Sequence, residues 1–80
     1  MISKELLKEI RNSPELSEVE IISSETDRLE LVFKPETPRT GKELLTVQKI
    51  LFNYKLFNFI KSEKVDFWTE CIKTISISFY

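Results

Sequence analysis

Residues 40 to 64 read TGKELLTVQKILFNYKLFNFIKSEK, and the folding of this stretch decides how everything around it packs. Eleven of the seventeen residues from Leu44 to Ile60 are apolar, and neither Gly nor Pro interrupts them. Leu, Lys, Gln and Glu favour helix, so the stretch predicts one long helix. Thr40 with Glu43 three residues later has the spacing of a capping box, in which two side chains satisfy orphan amides reciprocally.

At about 100° per residue the apolar side chains of such a helix fall on two arcs. Leu44, Val47, Ile50, Leu51, Tyr54 and Phe57 share one; Leu45, Phe52, Leu56, Phe59 and Ile60 share the other. A helix apolar on two sides has to be covered twice.

Outward from this stretch, Ile2 to Arg11 carries Ser3 as a cap, Glu5 in the first turn, and Ile2, Leu6, Leu7 and Ile10 at helical spacing, ending before Pro14. Glu18 to Ser23 and Leu29 to Lys34 alternate as half-buried strands joined by a polar turn. Residues 34 to 41 hold two of the three prolines and the only glycine, which marks a loop. Asp66 is placed to cap a short helix through Phe67, Trp68 and Cys71, with extended chain as the alternative. Thr74 to Tyr80 alternates strictly and predicts the last strand.

The predicted architecture is a single α+β domain over residues 1–80: a small two-layer arrangement with a three-stranded, mostly antiparallel sheet on one long central helix, and a short N-terminal helix. A crossover placing the last strand beside the first gives the order 2-1-3. The inward phase of each element assigns Ile21, Leu31, Phe33, Ile50, Leu51, Phe57, Ile75 and Ile77 to the core.

Composition narrows the function. A hydrophobic share of 41% and a charged share of 31% describe an ordered globular chain, and twelve basic against thirteen acidic residues create no strong field toward nucleic acid or anionic lipid. The single Cys71, the lack of a signal-peptide pattern and the polar breaks in the longest apolar run lead to the expectation of a cytoplasmic protein outside the membrane. Zero histidines remove the commonest general base and metal ligand. Glu18, Glu20 and Glu30 sit at the solvent phase of strands, so catalysis, metals and cofactors are not expected.

Two kinds of site remain. The arc of Leu45, Phe52, Leu56, Phe59 and Ile60 is more apolar surface than the predicted sheet covers, which points to protein binding, with a homodimer slightly favoured over a different partner. If the N-terminal helix closes over one end and Phe67 and Trp68 over the other, the chain is a monomer. Alternatively, Arg39 and Lys42 beside a helix start and Gly41 have the parts of an anion or nucleic-acid site, although the phosphate-loop pattern fails at Glu36 and Glu43. The expected function is that of a non-catalytic interaction module: an accessory, inhibitor or adaptor protein.

Overall fold

Ser3 begins the first helix as its spacing predicts: its Oγ accepts a 3.2 Å hydrogen bond from the Leu6 amide, and α1 runs over Lys4–Asn12. Leu6 and Ile10 fall four apart on one face and are fully buried. Ser13 closes the helix and Pro14 opens a 3₁₀ turn, Pro14–Leu16, which carries Leu16 into the core. The computed structural model describes residues 2–16, 19–25, 27–35, 41–69 and 71–80.

There are four strands among the described residues, β1 (Glu20–Glu25), β2 (Arg28–Val32), β3 (Ile60–Phe67) and β4 (Ile72–Phe79), and the side chains of β2 and β4 alternate between buried and more exposed. They form one antiparallel sheet in the order β1-β2-β4-β3. Leu29 pairs with Ile77 and Leu31 with Ile75, all four fully buried, while Glu30 opposite Ser76 and Arg28 opposite Ser78 take the other face. Above the apolar face lie α1, the 3₁₀ turn and α2 (Glu43–Asn53), whose Val47, Ile50 and Leu51 complete the core with Leu6, Ile10, Leu16, Phe33 and Phe79.

The architecture is therefore α+β with a four-stranded antiparallel sheet and two helices, which corrects the expected three strands on one long helix. The helix predicted over 40–64 stops at Asn53. There the Lys55 amide donates to the Phe52 carbonyl at 3.0 Å and the Leu56 amide to the Leu51 carbonyl at 2.9 Å, with Lys55 left-handed at φ 62°. These paired reversed bonds are a Schellman C-cap, here built without its usual glycine. A 3₁₀ turn at Phe57–Phe59 then leads into β3, where the sequence suggested more helix.

The strand order is corrected too, since the last strand lies between β2 and β3 and away from β1. Among the described residues of 66–71 no short helix forms: β3 and β4 make a hairpin, closed by the Trp68 amide donating to the Cys71 carbonyl at 2.8 Å. Of the expected core residues, Ile21 is half-buried at the sheet margin and Phe57 is 39% exposed; the other six are buried. The expected cap Thr40 lies outside the described residues. Lys42 holds the cap position instead, with no side-chain capping bond, and Glu43 is the first helical residue, buried where the helix dipole favours an acid.

Candidate functional site

The inner face of α2 meets the sheet, and its outer face does not. Leu45 and Phe52 stand seven residues apart, two turns along that outer face, and are 52% and 69% exposed. The reversal at Lys55 then turns the chain so that Phe57 comes up beside Phe52. Their ring centroids are 6.4 Å apart at an interplanar angle of 68°, the edge-to-face geometry that aromatic quadrupoles prefer.

Two adjoining hollows flank this pair. One, of about 370 Å³, is lined by Leu45, Gln48, Lys49, Phe52, Asn53 and Phe57. The other, of about 500 Å³, continues past Phe52 and Phe57 to Lys55 and Asn58. Together they make a shallow groove with an aromatic floor and an amide and ammonium rim. Gln48 fastens one side, its Nε2 donating to both carboxylate oxygens of Glu63 on β3 at 3.1 and 3.3 Å.

The arc read from the sequence is divided by this geometry. Leu45 and Phe52 line the groove, whereas Leu56 and Ile60 are half-buried and pack against the core. Phe59 is exposed on the 3₁₀ turn, where its carbonyl accepts from the Tyr80 amide at 2.9 Å, and it is not among the groove residues. Phe57 takes its place. Helical phase puts Phe57 in the core only if the helix continues past Asn53, where it ends.

Neither expected cover closes the groove. The buried residues of α1, Leu6 and Ile10, belong to the core, and Phe67 is 63% exposed at the hairpin end. Trp68 is held there by Lys73, whose Nζ lies 4.9 Å from the ring centroid in a cation–π contact. Of the anion-site candidates, Arg39 lies outside the described residues and Lys42 is exposed at the start of α2. Cys71 is a half-buried free thiol, and among the described residues no group of three metal-ligating side chains comes together.

On the flank toward α1, the Tyr54 hydroxyl donates to the Glu9 carboxylate. That bond foremost, then partial desolvation and the negative charges of Glu9 and Glu5, holds the phenol above its ordinary pKa of 10.0. Among the described residues no helix is long and apolar enough to cross a membrane. The comparisons with known proteins found no match: no family model, curated protein or solved structure is similar to the chain.

Proposed function

We propose that this chain is a small non-catalytic interaction module, an accessory, inhibitor or adaptor protein that acts by binding another protein through the groove beside Phe52. The observation that supports this reading is an edge-to-face aromatic pair left open on a domain whose core is already closed around Leu51, Leu31 and Ile77. Large aromatic and aliphatic groups gathered in a depression are the residues from which interface anchors are made. Leu56 and Ile60 are half-buried on the core, and Phe59 is a further exposed aromatic on the turn after α2.

The test is paired capture from the native host, with the parent chain and Phe52→Asp as baits. Circular dichroism checks that both are folded. A protein held by the parent and lost from Phe52→Asp is the expected result. Identical captured sets overturn the reading. Replacing Lys42 by Ala is expected to leave capture intact, and loss of binding in that variant would transfer the function to the start of α2.

A further inference from the structure

We propose that the groove takes an acidic, amphipathic peptide segment of its partner, with a large apolar side chain seated among Leu45, Phe52 and Phe57 and carboxylates meeting Lys49 and Lys55. This rests on reading the groove as a protein-binding surface and adds the chemistry of what fills it. The chain as a whole carries a formal charge of -1, yet the charged side chains lining the two hollows are Lys49 and Lys55, and no carboxylate lines them among the described residues. Neither lysine is ion-paired among the described residues, so both ammonium groups present their charge to whatever occupies the groove. Gln48 supplies the contrast: the nearby carboxylate, Glu63, is tied by hydrogen bonds to its amide.

Lys55 supplies a second, independent observation. It occupies the left-handed C′ position of the cap, at φ 62°, where Gly is the residue without steric cost. The fold thus holds an ammonium-bearing side chain at the groove in a conformation that local stability disfavours. A strained non-glycine residue is held in place by its surroundings and points to a role for what it carries.

The same charges argue against the other occupants. In an isologous dimer each patch meets its own copy, so the groove lysines of one protomer would face those of the other. A single-stranded nucleic acid would find stacking surfaces at Phe52 and Phe57, but two cations neutralise too few phosphates to hold it at physiological salt.

A displayed library of random dodecapeptides selected on the full chain tests the inference. Enriched peptides are expected to carry Asp or Glu flanking a Phe, Trp or Leu. For the best of them, affinity should fall about 30-fold in Phe52→Ala, as for an anchoring residue. It should fall up to about fivefold in each of Lys49→Gln and Lys55→Gly, and it should weaken with added salt. Lys55→Gly is expected to raise the melting temperature while weakening binding, a combination that a purely structural lysine does not give.

Basic or uncharged winners, or winners indifferent to both lysine substitutions, overturn the inference; if they are still lost in Phe52→Ala, the groove reading stands. No enrichment, or winners indifferent to both Phe52→Ala and Leu45→Ser, overturns both. A sedimentation mass of two chains that returns to one in Phe52→Asp gives the groove to a second copy. Tight oligothymidine binding lost in the same variant gives it to nucleic acid. Either result overturns the acidic-peptide assignment.

Discussion

The two faces of α2 are built from the same kinds of residue and end in opposite environments. Val47, Ile50 and Leu51 on one side are buried, while Leu45 and Phe52 on the other stand in solvent. Hydrophobicity alone does not separate them. What separates them is the sheet, which lies on one side of the helix and, with α1 and Leu16, closes a core that needs nothing from Leu45 or Phe52. Burying a large apolar side chain is worth roughly 1.5–3 kcal/mol, so the inner face stabilises the fold, while Leu45 and Phe52 on the outer face contribute little of that burial.

Three substitutions break or sharpen the contrast. The largest expected effect is on the inner face: Leu51→Ala should lower unfolding free energy by about 2–5 kcal/mol, read by urea denaturation. Next is the residue that separates helix from turn. Lys55→Gly relieves a left-handed side chain and should stabilise the fold by about 1 kcal/mol, raising the melting temperature by about 4–8 °C.

The smallest effect lies on the flank between the faces. The Tyr54 phenol has a folded pKa above its unfolded 10.0, so its contribution is fully present below pH 10.0 and is lost as pH rises through the folded value. Tyr54→Phe should therefore be slightly less stable than the parent near neutrality, with the gap closing as pH rises above 10.0, measured as unfolding midpoints across pH.

The contrast also marks where the sequence could be read. Ser3 announced α1, and the alternation of Leu29, Leu31 and Phe33 and of Ile75, Ile77 and Phe79 gave the inward phases of two strands, because each signal depends on neighbours a few residues away. The helix end was hidden, since the left-handed position that ends α2 carries Lys55 instead of the usual Gly or Asn.

β3 was hidden for another reason. It is an edge strand with Lys61, Glu63, Lys64 and Asp66 spread over both faces, so it shows no alternation to read. Its strand state is fixed by hairpin pairing with β4, which its own residue pattern does not announce. The candidate site inherits this boundary. Leu45 and Phe52 lie before Lys55 and could be placed by helical phase; Leu56, Phe57, Phe59 and Ile60 lie after it and could not.

The outer face of α2 is surplus to the fold. Urea unfolding of the double variant Leu45→Ser/Phe52→Ser measures it directly. An unfolding free energy within about 0.5 kcal/mol per substitution of the parent is expected, as for surface positions. A loss of about 2 kcal/mol or more, in the range of Leu51→Ala, would contradict it and place Leu45 and Phe52 in the core.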